Sequence, residues 1–325
     1  MRTIHLAIFM AMVVLASCTS KTTNVGTTTT QAEQHGNGIY YWKTMFELND
    51  AERGFLKEHQ VKRLYLRLFD VVPAENGARH EFEVVPNATI VFREPMPENV
   101  EIVPVVYITL DALRLINSPI HNYAEIITQR ILNMADFNEL GTIHEIQLDC
   151  DWTQQTQDGY FAFCQAMKDE LKPYGIQLSC TIRLWQLACA CPPVDRGVLM
   201  LYNTGTITNP NTNNSILDVE DVKAYLKGEA YDLPLGLAYP TYSWYVWFRN
   251  DKYMGLFHDQ PGKKIEAGDV VRYEHVSFNE LQQLDSLVRL KLPGADQAPI
   301  ILYHLDSANL SNYTNDEIRQ IYSRD

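Results

Sequence analysis

Apolar residues recur along this chain in two periods. Alternating or continuous apolar runs at 39–43, 61–71, 100–109, 145–152, 176–185, 197–205, 234–242 and 299–306 read as eight strands. Between most of them the apolar positions fall at helical spacing. Phe46, Phe55 and Leu56 share a face in 46–60, and Ile126, Ile127, Ile131 and Leu132 recur through 122–137; similar patterns occupy 159–175, 215–228, 277–290 and 315–322. Strands separated by helices pair in parallel, because a parallel neighbour needs a long crossover.

The expected fold class is therefore α/β. Eight repeats over about 285 residues predict a single (β/α)8 TIM-type barrel across 38–325, with a doubly wound open sheet as the alternative. Two stretches break the alternation. VPAENGARHEFEVVPNATIVFREPMPEN, after the second strand, has no helical pattern and reads as an inserted loop or small β element. The aromatic-rich stretch SWYVWFRNDKYMGLFHDQPGKK (243–264) reads as a hairpin-like excursion after the seventh strand.

The N-terminus carries different information. Arg2, an apolar run over 6–16, and Leu15-Ala16-Ser17-Cys18 have the order of a secretory signal ending in a bacterial lipobox, with Cys18 as the lipidated residue. The run is too short to span a bilayer. Residues 19–37 are Thr, Gln, Gly and Asn with almost no apolar content and read as a flexible tether. With Thr19 rather than an aspartate after the cysteine, known lipoprotein sorting patterns imply the outer membrane. The expected location is the cell envelope, anchored to membrane through the N-terminal lipid, on either the periplasmic or the outer face.

Composition narrows the partners. The 325 residues include 46% hydrophobic and 21% charged, and the net charge of −13 leaves no basic stripe that would displace counterions from nucleic acid. Five cysteines remain after Cys18, an odd number. Cys150 and Cys180 sit in apolar strands as small hydrophobes, and Cys189 with Cys191 lacks further ligands at zinc spacing. His121, His144, His258, His275 and His304 likewise show no metal spacing with aspartate, so neither a metal nor a cofactor is expected.

In such a barrel a functional site gathers at the C-terminal ends of the strands. Those ends carry Trp42 and Lys43; Asp70; Tyr107; Asp149, Asp151 and Trp152; Arg183 and Trp185; Tyr202 and Asn203; Tyr239 and Tyr242; His304 and Asp306. Strand parity sorts them. In EIQLDCDWT (145–153), Ile146, Leu148 and Cys150 share the helix-facing side, while Gln147, Asp149 and Asp151 point into the barrel. The same alternation turns Tyr65, Arg67 and Phe69 inward in the second strand and Thr181 and Arg183 inward in the fifth. Arg67 and Arg183 are then the candidate partners of Asp149 and Asp151, since an unpaired buried carboxylate is costly.

Asp149 and Asp151 lie about 6.6 Å apart along the strand, within the range that glycoside hydrolysis uses for its two carboxyl groups. Asp149, Asp151 and Asp70 are the candidate catalytic residues, with Asp306 as a further second carboxylate. Trp42, Tyr107, Trp152, Arg183, Trp185, Tyr202, Asn203, Tyr239 and Asp306 are the candidate carbohydrate contacts, aromatic rings offering a platform to the apolar faces of sugars; Trp244 also belongs to this aromatic set. The structural alternative is a buried ion-pair layer beneath core aromatics.

Two resemblances attach to these residues. DCDW followed by Thr153 resembles the fourth-strand signature D-x-x-D-x-D-W-E of the family 18 glycoside hydrolases, barrels acting on N-acetylglucosamine polymers. That likeness implies that Asp151 positions an acetamido group. Ile146 stands in place of the first Asp, however, and Thr153 in place of the general acid, and a threonine hydroxyl is no proton donor near neutral pH. VPVVYIT, IQLDCDWT with its GYFAF helix, IQLSCTIRLW and VDRGVLMLYNTG resemble the exported bacterial family known as domain of unknown function 3142, over roughly residues 39–205. This implies an exported barrel of glycosidase-like fold. Three functions stay open: a glycan-active hydrolase, a non-catalytic glycan-binding accessory protein, and a structural envelope protein with no cleft.

Overall fold

The computed structural model describes residues 36–74, 83–117, 122–258 and 265–324. The expected signal segment, Cys18 and residues 19–35 of the expected tether lie outside the described residues. Eight parallel strands form the frame: β1 (Gly38–Tyr41), β2 (Arg63–Pro73), β3 (Glu101–Ile108), β4 (Glu145–Asp149), β5 (Gln177–Arg183), β6 (Arg196–Met200), β7 (Leu235–Pro240) and β8 (Ile300–Tyr303). Each pairs with the next, and β1 pairs with both β2 and β8, which closes the barrel. The open-sheet alternative is thereby excluded, because β1 leaves no free edge between β2 and β8.

Six principal helices cover the outside: α1 (Asp50–Glu58), α2 (Tyr123–Phe137), α3 (Gln157–Leu171), α4 (Val219–Tyr225), α5 (Phe278–Lys291) and α6 (Asn315–Ser323). Local chemistry sets their starts. Asn49, Ser277 and Thr314 each accept from the amide three residues on, while the glutamate there bonds back to the cap, so two otherwise orphaned donors are satisfied at each start. The Asn49 cap starts α1 after Phe46. Phe46 is therefore not on the helix face that its spacing predicted; it sits fully buried in a short strand, Met45–Phe46, paired with Val91–Phe92. Among the described residues no helix is long and apolar enough to cross a membrane.

In both interruptions of the pattern the described residues include β strands. After β2 the chain turns back as Val84–Asn87, antiparallel to the end of β2. After β7 it forms a three-stranded antiparallel sheet of Trp244–Arg249, Lys252–Phe257 and Asp269–Glu274, ten residues longer than the excursion expected at 243–264. Asn37, the last residue of the expected tether, lies against the barrel. Asn37 donates to the Tyr322 carbonyl (3.1 Å) and accepts from the Ile300 amide (3.0 Å), so it is already stitched to the barrel.

The interior is layered. At the N-terminal end Arg63 pairs with Glu145 (3.0 Å) and Glu101 (2.9 Å). Above it the Tyr40 hydroxyl donates to Gln147 Oε1 (2.7 Å). A ladder then climbs between β4 and β5, whose register sets Gln147 opposite Ser179. Gln147 donates to Ser179 (3.5 Å), Thr181 donates to Asp149 (2.7 Å), and Arg183 pairs with Asp151. Each rung is two residues above the last, as a pleat of period two requires.

Candidate functional site

The ladder ends in a cleft of about 640 Å³ at the C-terminal mouth. Asp149 forms part of its floor and is 4% exposed. Burial raises its carboxyl to about 6; Arg183 and the Thr181 hydrogen bond oppose the rise, while Asp151 and Asp70 add to it. Asp151 sits higher, its side chain 42% exposed, and accepts a hydrogen bond from Arg183 Nε. Parity left open which arginine neutralises which aspartate. Arg183 takes Asp151, while Asp149 has a hydroxyl rather than a cation as its direct partner.

Arg67 goes elsewhere, and the reason is a bulge. The β2 to β3 register runs Arg67 with Val105 and then Phe69 with Val106, so Leu68 is an extra residue and the alternation reverses after it. Phe69, expected inside, instead faces the helix layer with the Arg130 guanidinium 4.9 Å from its ring. Asp70 turns to the mouth and takes both Arg67 nitrogens, Nε at 2.8 Å. The same guanidinium lies 5.4 Å from the Trp42 ring.

A third charged group stands on the β1 and β8 side. Lys43 pairs with buried Glu52 (2.6 Å) and with Asp306 (3.3 Å). Burial pushes the Asp306 carboxyl up, but the Asn309 amide and Lys43 outweigh it and hold the group below the usual carboxylate range. Beside it His304 is held neutral, its imidazole lowered to about 4 by burial. Its Nδ1 is buried without a hydrogen-bond partner.

Aromatic rings line the space between these charges. Tyr303 is central, with Tyr40, Trp42, Tyr202 and Tyr242 all within 6 Å between ring centroids. Tyr107 joins the lining, its phenol pushed up to about 12 by burial and then by Asp151. Asn203, at φ 56°, adopts a left-handed conformation that asparagine tolerates better than most residues, and its Oδ1 accepts from the Tyr242 hydroxyl (2.6 Å). A recess of about 320 Å³ opens beside the cleft, lined by Asp151, Arg183, Tyr202, Asn203, Trp185 and Tyr225.

Of the candidate residues, the structure brings Trp42, Asp70, Tyr107, Asp149, Asp151, Arg183, Tyr202, Asn203 and Asp306 together in the cleft, with Trp185 in the recess. It does not bring Trp152 or Tyr239 there. Trp152 has the parity of Cys150 and is fully buried under the helices, stacked on Tyr160 at 6.0 Å and against Trp185 at 5.2 Å. Tyr239 likewise faces outward, and its hydroxyl donates to Asp285 on α5 (2.6 Å).

Tyr303, His258 and Asn309 also line the cleft and were not among the candidates. Tyr303 was legible as a hydroxylated ring at the end of the last strand. His258 and Asn309 come from the excursion and from the turn after β8, where no periodicity points. Thr153 is engaged locally: its amide donates to the Thr156 hydroxyl (2.9 Å), and the two hydroxyls lie 3.3 Å apart. Among the described residues no three His, Cys, Asp or Glu side chains gather as a metal site, and Cys150, Cys164, Cys180, Cys189 and Cys191 are all unpaired.

Solved chitinase and cortex-lytic enzyme structures share this (β/α)8 barrel. The chain is similar to the spore cortex-lytic enzyme SleL of Bacillus cereus (TM-score 0.52, 14% identity, 86% of this chain and 74% of that one). It is similar also to a chitinase from Chromobacterium violaceum ATCC 12472 (0.54, 12%, 86% and 98%). A third likeness is to the Group IV chitinase of Ostrinia furnacalis in complex with allosamidin (0.54, 10%, 89% and 98%). At these identities the likeness concerns the fold. No family model matches the chain, and no curated protein does.

Proposed function

We propose that this protein binds glycan chains in the barrel mouth and does not cleave them. The observation that carries the reading is the state of the mouth's carboxyl groups. Asp70, Asp151 and Asp306 are each tied to a cation, Arg67, Arg183 and Lys43, and the position of a family 18 general acid holds Thr153, engaged with Thr156. Paired charges next to aromatic rings offer sugars fixed donors, fixed acceptors and apolar platforms together. The chitinase-like fold points to N-acetylglucosamine-containing polymers as the first ligands to try.

Calorimetric titration with N-acetylglucosamine oligomers, alongside a panel of bacterial, host and plant glycans, tests this. Binding is expected for at least one oligomer and is expected to weaken at least tenfold in Asp151→Ala, which removes a charged hydrogen-bonding partner. No binding across the panel would sink the proposal. A hydrolytic reading is favoured by one observation, the Asp149 carboxyl raised by burial to about 6, within the range to which a general acid is tuned. Glycan cleavage that disappears in Asp149→Asn would establish that reading instead.

We further propose that the chain is a lipid-anchored protein of the outer membrane, related to the exported family known as domain of unknown function 3142. The lipobox ending at Cys18 and the polar stretch that follows support the anchor, and the motifs from VPVVYIT to VDRGVLMLYNTG support the relationship. Cys18→Ser is expected to abolish lipid labelling and release the protein from the membrane fraction. Unchanged membrane retention would count against the anchor.

A further inference from the structure

The recess of about 320 Å³ shares Asp151, Arg183, Tyr202 and Asn203 with the cleft, so the two spaces meet over the same side chains. Asp151 and Arg183 are paired with each other, yet 42% and 21% of their side chains stay exposed. The pair is therefore a saddle between the spaces rather than a closed wall. Tyr202 is 3% exposed, and among the described residues its hydroxyl is buried with no hydrogen-bond partner. A hydroxyl left in that state is costly until a bound molecule supplies the partner.

The remaining walls belong to the recess alone. Trp185 comes from the short helical turn Leu184–Ala188 that follows β5, and Tyr225 from the end of α4. Gln186, fully buried, pins that turn: its Oε1 accepts from the Arg183 amide (2.7 Å), and its Nε2 donates to the Trp152 carbonyl (3.1 Å). Trp185 is held in place, its ring 5.2 Å from that of Trp152 and only partly buried. The segment after β6 is tied down as well. Thr204 accepts from the Asp218 amide (2.7 Å), and Asp218 caps α4 by accepting from the Glu220 amide (2.9 Å). Arg183 and Asp151 are the charged residues of the lining, and as a pair they leave the recess without net charge.

We propose that the recess is a second sugar subsite, in which an uncharged pyranose residue of a chain bound in the barrel mouth rests against Trp185 and Tyr225 after crossing the Asp151–Arg183 pair. The inference rests on the glycan reading of the mouth. Aromatic rings cover the apolar C–H faces of a pyranose, and walls already fixed in place lower the ordering cost of binding. The paired charges at the crossing present a donor and an acceptor in set positions. The volume lies at the small end of the range for ligand sites. It suits one end of an oligosaccharide rather than its whole length.

The test is calorimetric titration of the full chain with two probes, N-acetylated chitobiose and N-acetylated chitohexaose. Tyr225→Ala is expected to lower chitohexaose affinity roughly tenfold, the worth of one ring's apolar contact, and to leave chitobiose affinity unchanged. Tyr225→Phe keeps the ring and is expected to keep both affinities. Trp185→Ala is expected to lower chitohexaose affinity by a similar factor. Tyr225 is 43% exposed, so its alanine variant is expected to fold, which a thermal transition at the wild-type temperature verifies.

Wild-type chitohexaose affinity in both alanine variants would overturn the subsite and leave the cleft reading standing. Equal weakening for the two sugars in Tyr225→Ala would also overturn it, because a subsite beyond the mouth is reached by the longer chain alone. No binding of either sugar by the wild type would overturn the cleft reading and the subsite with it.

Discussion

Arg183→Ala is expected to weaken glycan binding by at least tenfold and to destabilise the fold by about 2 kcal/mol. Arg183 is the cation at the head of the β4 and β5 ladder, and it pairs with Asp151 directly. Its loss leaves Asp149, Asp151 and Asp70 together with only Arg67, which is already engaged by Asp70. Breaking a fully buried ion pair typically costs about 3–5 kcal/mol. Because the Asp151 side chain is 42% exposed, solvent recovers part of that, which leads to the smaller figure of roughly 2 kcal/mol. The binding loss follows from removing a guanidinium donor and freeing its carboxylate to reorient. Arg183→Lys restores the charge but not the planar fork and is expected to fall between the two. Urea midpoints and calorimetry check both effects; wild-type stability and affinity in Arg183→Ala would refute them.

Asp149 and His304 are expected to give opposite pH dependences of stability that largely cancel in the wild type. Burial raises the Asp149 carboxyl from 3.8 to about 6. The folded state therefore holds this proton more tightly than the unfolded one, so its contribution is present below pH 3.8 and is lost as pH rises through about 6. Burial lowers His304 from 6.5 to about 4. Here the folded state resists protonation, so its contribution is present above pH 6.5 and is lost as pH falls through about 4. Each shift of two units or so corresponds to roughly 3 kcal/mol at the extremes. Relative to Asp149→Asn, the wild type is expected to lose stability between pH 4 and pH 6. Relative to His304→Asn, it is expected to gain stability over the same interval. Denaturant midpoints at pH 4.5 and pH 7 separate the two, and variants with slopes parallel to the wild type would contradict the burial of these groups.

Much of this architecture is legible in the sequence because the periods are clean. β4 and β5 keep an unbroken alternation, so Asp149, Asp151, Thr181 and Arg183 all face inward where parity puts them. Asp70 and Phe69 show the limit of that method. One extra residue at Leu68 reverses the pleat, and no side-chain pattern distinguishes a bulge from a regular strand. Trp152 and Tyr239 show a different failure. Both have helix-facing parity, but large aromatics near strand ends attract a functional reading, whereas the helix layer needs rings of that size for packing. Phe46 has helical spacing with Phe55 yet precedes the Asn49 cap, and capping chemistry outranks periodicity at a helix start. The pairing of Lys43 with both Glu52 and Asp306 joins residues from β1, α1 and the end of β8, an arrangement that only barrel closure produces.

The likeness to chitinase-type barrels and the mouth's chemistry point in different directions on catalysis. A shared barrel supplies the cleft and its strand ends, while hydrolysis needs a correctly placed acid. Where the family 18 resemblance would put the acid, Thr153 offers no proton, and Asp149, the carboxyl that burial raises to about 6, lies 4% exposed on the floor. The most direct test is to incubate the protein with a stoichiometric amount of an N-acetylglucosamine oligomer that binds in calorimetry and to follow the sugar by mass spectrometry over days. The expected result is an oligomer that remains bound and intact, and the appearance of shorter oligomers with the wild type but not with Asp149→Asn would contradict it.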